Sequence, residues 1–290
     1  MEAARLLRPW WTLLLVAVGV MLVVLAFTGD FSLADSIPNT ASLVLIVATM
    51  AFFSEYIDSS LGMGYGTTLT PVLLLMGYSP LQVVPAILFS ECVTGIASGL
   101  SHHRAGNVDF RRGSRARRTM TILVACSIVG TVAAVFLALN LPQTVIKSYI
   151  GLMILGIGVY ILIARNRPGR FSWGKIVGLG GVAAFNKGIS GGGYGPLVTG
   201  GQILSGVEEK SAVGITSLAE GLVCFVGLVL YFFFGSGVDW LLAGSLAIGA
   251  MLSVPAAVWT VKIMPERALR NSIGYATVFL GLLSLIRVVL

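Results

Sequence analysis

FNKGISGGGYGP (residues 185–196) and IDSSLGMGYGTT (residues 57–68) are glycine-rich stretches set in apolar chain, and each carries one charge, Lys187 and Asp58 respectively. Aligning Gly64-Tyr65-Gly66 with Gly193-Tyr194-Gly195 gives an offset of 129 residues (193 less 64). At that offset, without gaps, Gly62 meets Gly191, Thr70 meets Thr199, Gly77 meets Gly206 and Glu91 meets Glu220. One residue later in register, VDF at 108–110 meets VDW at 238–240. Further on, PQTVIKSYIG (142–151) meets PERALRNSIG (265–274) at an offset of 123 (265 less 142), and a basic insert present only in the first half, RRGSRARR, accounts for most of the shortfall. Matches in one order along the whole chain identify an internal duplication.

The setting of those stretches is a membrane. The chain has 290 residues, of which 56% are hydrophobic and 11% charged, with mean hydropathy +0.93. A soluble domain carries roughly 25% charged residues. Apolar runs recur near the ~20 residues that an α-helix needs to span a bilayer. The formal charge of +7 therefore reports loop topology and not a nucleic-acid footprint. Cys92, Cys126 and Cys224 lie in apolar segments with no CxxC pairing and no histidine at ligand spacing, so buried thiols are expected, without disulfide, metal or cofactor. His102 and His103, beside Arg104 at a segment end, are expected to be solvated at the interface.

The organisation follows from the repeat. Residues 1–40 read as a retained N-terminal transmembrane helix and loop, with Trp10 and Trp11 at the interface. Residues 41–163 form the first repeat, 164–173 a basic cytoplasmic linker, and 174–290 the second repeat. Each repeat opens with a compact pair around its glycine stretch (about 41–77 and 174–206), whose second member is too short for a comfortable full span. Three long segments follow, near 80–101, 118–140 and 143–163, and near 208–234, 240–262 and 266–288.

Cations set the orientation. Arg5 and Arg8 put the N-terminus in the cytoplasm, and HHRAGNVDFRRGSRARR is a cytoplasmic loop whose repeat partner, GSGVDW, has no cation. NLPQ is uncharged, whereas its partner region VKIMPERALR carries Lys262, Arg267 and Arg270. Opposite bias in corresponding loops predicts an inverted-topology repeat in an all-α polytopic protein, with two glycine-broken, re-entrant-like helix pairs and an extracytoplasmic C-terminus. Fully spanning pairs leave the polarity of the other segments unchanged. Inverted repeats with short, glycine-interrupted segments at matching positions are the mark of a secondary transporter.

The first amides of a helix lack intrahelical partners and sit at the positive end of the peptide dipoles. Glycine lets a ligand reach them and makes positive φ accessible. Gly62, Gly64, Tyr65, Gly66, Thr67 and Thr68 in one half, and Ser190, Gly191, Gly192, Gly193, Tyr194 and Gly195 in the other, are therefore the candidate substrate-binding residues for a small anion. Helix packing is the alternative use of such residues. Lys187 is either an additional ligand or the ion-pair partner of Asp58, which the repeat places at its own position (187 less 129) as a structural or gating partner. Glu91 and Glu220, repeat-equivalent and inside apolar segments, are the proton-coupling candidates, with hydrogen bonding to broken-helix backbone as the other reading. Glu55, one turn from Asp58, is expected at the mouth of the cavity.

GMGYGTTLTPVLLLMGYSP followed by HHRAGNVDF, and then GISGGGYGPLVTGG, resembles the sulfite exporter TauE/SafE family of membrane permeases over residues 41–290. The resemblance implies transport of a sulfur-containing oxyanion or organosulfonate, sulfite- or sulfoacetate-like, across the cell membrane without ATP hydrolysis. Met63 and Tyr65 stand where the family commonly has a denser glycine cluster. A passive anion channel and an importer of another small anion are the alternatives. A membrane-embedded enzyme lacks a convergent nucleophile–base pair in this sequence.

Overall fold

The computed structural model describes residues 40–62, 65–142, 145, 146, 148, 149, 152, 172–235 and 237–265. The expected N-terminal helix, most of the segment 143–163, the segment 266–288, both termini, most of the linker, and Gly64 lie outside the described residues. Within them the chain is helical, with no strand. Eight helices are defined: α1 Thr40–Leu61, α2 Tyr65–Leu75, α3 Pro80–Ala105, α4 Arg115–Asn140, α5 Trp173–Ser190, α6 Tyr194–Leu204, α7 Glu209–Phe234 and α8 Trp240–Ile263.

Local sequence sets the boundaries. Ser79 precedes Pro80 and its N–H donates to Gln82 Oε1 at 3.0 Å, so α3 starts where the proline's missing donor is harmless. Gly106, at φ 81°, ends it in the left-handed region. Ser114 Oγ accepts from Arg117 N–H to open α4, and Asp239 accepts from Leu242 N–H to open α8. Gly62 and Gly191, at φ 65° and 71°, close α1 and α5, and Gly193, at φ 78°, leads into α6. At 11 residues, α2 and α6 rise only about 16 Å, half of a hydrocarbon core.

The duplication is built into the packing. Helices α2 and α3 begin and end 129 residues before α6 and α7 (194 less 65, 209 less 80). The chief pairings recur when each helix is exchanged for the one four places on. Thus α4 against α5 matches α8 against α1, α3 against α8 matches α7 against α4, and α3 against α7 maps onto itself. Along α3, Leu88, Gly95 and Gly99 rise while their neighbours on α7, Gly227, Gly221 and Leu218, fall, so these equivalent helices run antiparallel. At their crossing Gly95 and Gly221 face each other, and a Cβ on Gly95 would lie 2.8 Å from Ser217 O and 2.9 Å from Gly221 Cα. Helices α2 and α6 also pass in opposite senses. Thr70, in α2, lies by Gly191, the turn before α6, and Thr199, in α6, lies by Gly62, the turn before α2.

Five helices, α1, α3, α4, α7 and α8, are long and apolar enough to cross a membrane. Their outward faces carry large apolar side chains such as Val129, Phe233 and Leu252, each at least 70% exposed. The interior holds a polar set instead, including Ser90, Thr94, Ser98, Ser127 and Lys187 at 0%. That is the distribution lipid demands of a bundle with a polar centre.

The α3–α7 crossing yields a packing prediction. Gly95→Val should lower stability by about 1–3 kcal/mol through overpacking. Gly244→Ala, where a Cβ meets nothing within 4 Å, should leave it nearly unchanged. Thermal unfolding of both variants in detergent compares them, and an unshifted Gly95→Val melting temperature would contradict the close crossing.

Candidate functional site

Because α3 and α7 cross through glycine, side chains one turn or less away are brought into the centre of the bundle. These include Glu91 on α3 and Glu220 on α7, each 2% exposed. Between them stands Lys187, from the last turn of α5, fully buried. Lys187 Nζ donates to Glu220 Oε1 at 2.7 Å and also forms an ion pair with Glu91 Oε2. The two repeat-equivalent glutamates therefore share one ammonium group.

Glu91 has a second anchor. The Gly66 N–H, in the first turn of α2, donates to its other oxygen, Oε1, at 3.2 Å. Cys224 Sγ lies 3.5 Å from Glu91 Oε2. A carboxylate thus occupies the free amide of a half-helix N-terminus, with a lysine beside it. Backbone donor plus fixed cation is the combination that favours an anion at such a terminus.

The glycine turns meet, and they meet without a gap. A Cβ on Gly66 would collide with Gly191 O, and one on Gly192 would lie 2.7 Å from Thr67 N. Gly193 N–H donates to Thr67 Oγ1 at 2.9 Å, and Gly192 N–H to Ser190 Oγ at 3.0 Å. Thr70 Oγ1 donates to Ser190 O at 2.9 Å, which ties α2 to the end of α5. In this conformation the amides are engaged by the protein itself. Thr68 Oγ1 is a buried atom with no hydrogen-bond partner among the described residues.

The remaining sequence candidates fall as follows. Tyr65 and Tyr194 are fully buried, with the Tyr65 hydroxyl accepting from Ser90 and the Tyr194 hydroxyl 3.3 Å from Ser127 Oγ. Gly195 is buried in the first turn of α6, and Gly62 packs on Thr199. Asp58 is buried in the last turns of α1, whereas the carboxylates found within ion-pair distance of Lys187 are those of Glu91 and Glu220. The equivalence of Asp58 and Lys187 pointed across the repeat axis. Lys187, in the last turn of α5, meets Glu91 and Glu220 where α3 and α7 cross.

Two expectations are corrected. Glu55 is not at a cavity mouth but 1% exposed, with Ser59 donating to Oε1 and Thr94 Oγ1 3.1 Å from Oε2. His102 is not solvated but fully buried: Asn107 donates to its Nδ1 at 3.0 Å, so Nε2 carries the proton and donates to Ser59 O at 2.9 Å. A signal for His102 was present in the repeat, where it aligns with Tyr231, whose hydroxyl donates to Gly188 O, the equivalent of Ser59 O.

A bundle of apolar-faced helices around a buried cation and carboxylates, with two half-helix starts packed at its centre, has the features of a multi-pass membrane transporter. Residues 47–284 match the family described as sulfite exporter TauE/SafE, and the chain belongs to it. The chain is also similar to the probable membrane transporter protein YtnM of Bacillus subtilis (strain 168). The two are 33% identical over 235 residues, covering 76% of this chain and 75% of that protein. No solved structure matches it.

Removing the lysine alone leaves two buried carboxyl groups without their cation. Lys187→Met should therefore cost about 3–5 kcal/mol of stability. Adding Glu91→Gln and Glu220→Gln to it should recover most of that loss, because no unbalanced charge remains. Denaturation in detergent measures both. A Lys187→Met protein as stable as the parent would contradict the shared-cation arrangement.

Proposed function

We propose that the chain is a proton-coupled secondary transporter of a small sulfur-containing oxyanion or organosulfonate in the cell membrane. The observation that carries this reading is the position of Glu91. Its carboxylate lies on the Gly66 N–H and on Lys187, the donors that an oxyanion would need, so it stands where the substrate would stand. Ionised Glu91 and the anion then compete for one set of donors. A proton on Glu91 neutralises it, releases Lys187 and Gly66, and lets the anion take its place. The donors themselves suit repeated use, because a backbone N–H stays protonated in every state of the cycle.

The charge balance supports the same reading. Glu55, Asp58, Glu91 and Glu220 are buried together, and Lys187 is the buried lysine or arginine among the described residues. Buried like charges repel one another, so a set with more acids than bases is one in which protons enter and leave as charges move. Alternating access would come from rocking of one half against the other about the α3–α7 crossing, each half presenting its glycine turn to the site in the inverted arrangement. The basic loop at Arg104–Arg118 marks the cytoplasmic face in this reading, with the N-terminus on the same side and the C-terminus outside.

Purified protein in vesicles, offered sulfite, thiosulfate, sulfate and organosulfonates, tests the proposal. Saturable flux of a sulfur oxyanion that responds to a pH gradient is expected, and Glu91→Gln should retain anion exchange while losing that response. Flux that rises linearly with concentration and ignores the gradient would mark a passive channel instead.

A further inference from the structure

The two halves match in helices and in turns, so positions where they differ chemically stand out. Glu55 aligns with Ala184, Thr94 with Val223, Ser98 with Gly227 and Ser59 with Gly188, all at the offset of 129. In the first half these four side chains form one hydrogen-bonded group. Thr94, one turn beyond Glu91, reaches Glu55 Oε2. Ser59 donates to Glu55 Oε1, and its Oγ lies 2.9 Å from Ser98 Oγ. Next along the same line come His102 on Ser59 O and Asn107 on His102, at the root of the basic loop. In the second half the positions of the four side chains are apolar, and His102 is matched by Tyr231, whose hydroxyl ends on Gly188 O. Ala184 and Val223 are buried, and the hydroxyl positions are glycines.

A polar group buried in a bilayer is expensive unless it has a use, and this one is costly on one side alone. We propose that Glu55 exchanges the coupled proton between Glu91 and the face that carries the Arg104–Arg118 loop, and that the second half holds no matching route. The inference rests on the proton-coupled reading above and adds where the proton enters. The proton passes from water at the loop face to the Glu55 carboxylate, and from the Glu55 carboxyl group to the Glu91 carboxylate. Glu55 ends ionised again, and Glu91 ends neutral and detached from Lys187.

Among the described residues the charged and titratable groups near Glu55 are few. Asp58 lies on its own helix, Tyr65 on α2, Glu91 on α3 and Glu220 on α7, while Lys187 lies beyond the glutamates and His102 reaches the group through Ser59. Helix α8, which packs along α1, brings Asp239 and Lys262 at its ends only. Glu55 is bonded to hydroxyls on the loop side, whereas Glu91 and Glu220 are bonded to Lys187.

The test separates delivery of the proton from binding of the anion. In vesicles, Glu55→Gln should keep anion counterflow and the pH dependence of anion affinity, yet slow flux driven by a pH gradient at least tenfold. Glu55→Asp, which keeps a carboxyl group, should restore part of it. Wild-type gradient-driven flux in Glu55→Gln would overturn the role of Glu55 and leave the transporter reading intact. A wild-type protein indifferent to the gradient would instead sink the coupled reading on which this one rests. Sidedness has its own readout in protein lacking Cys92, Cys126 and Cys224. Thr94→Cys should react with a membrane-impermeant thiol reagent from the loop face, and Val223→Cys should be protected from both faces. Equal labelling of the pair, labelling of Thr94→Cys from the opposite face, or labelling of neither would overturn the one-sided route.

Discussion

One ammonium group shared by two buried carboxylates organises the centre of this molecule. Lys187, Glu91 and Glu220 come from three helices, and no two of them are held together by local sequence. Leaving any of the three unpaired in a low-dielectric interior is costly, so the ion set fixes how α3, α5 and α7 sit against one another. The glycines are the other half of the constraint. Without a Cβ at Gly95 and Gly221 the two long helices approach closely enough for their glutamates to meet one lysine. Without one at Gly66 and Gly192 the half-helix starts pack backbone on backbone. Charge supplies the attraction, and the absence of side chains supplies the room.

In the proposed function the same arrangement lets a greasy chain handle an anion. A cation permanently free in the bilayer would bind too tightly or cost too much, and Lys187 is never free here. Its partner Glu91 also takes the Gly66 amide, so an internal carboxylate satisfies these donors in this structure. In the proposed cycle the anion therefore replaces an existing negative charge and leaves the site's net charge little altered. Coupling to protons then follows from competition for the same atoms, with no long-range signal needed.

Much of the architecture was legible in the sequence because the chain says it twice. The offset of 129 placed the ends of α2, α3, α6 and α7 in register, and the GYG stretches announced the starts of both short helices. Composition and run length were enough to mark the spanning helices, since lipid accepts few other patterns. The site was legible in membership but not in pairing. Glu91, Glu220 and Lys187 stood out as charges in apolar runs, yet the repeat alone suggested Asp58 as the partner of Lys187. Which helices touch depends on where small residues let backbones cross, and Gly95 against Gly221 is a long-range fact with no local signature. Glu55 and His102 were misplaced for a related reason. Their position looked like exposure, and packing between helices far apart in sequence, with α1, α3, α7 and α8 all contributing, buries them.

The central claim is that the substrate displaces ionised Glu91 from Lys187 and Gly66, and proton uptake on binding tests it most directly. Calorimetry of the purified protein with an organosulfonate, whose own charge does not change near neutrality, in buffers of different ionisation enthalpy counts the protons taken up. By linkage, competition for one donor set predicts about one proton bound per anion in the wild type and none in Glu91→Gln. Anion binding without proton uptake in the wild type, or with the same uptake in Glu91→Gln, would contradict the account.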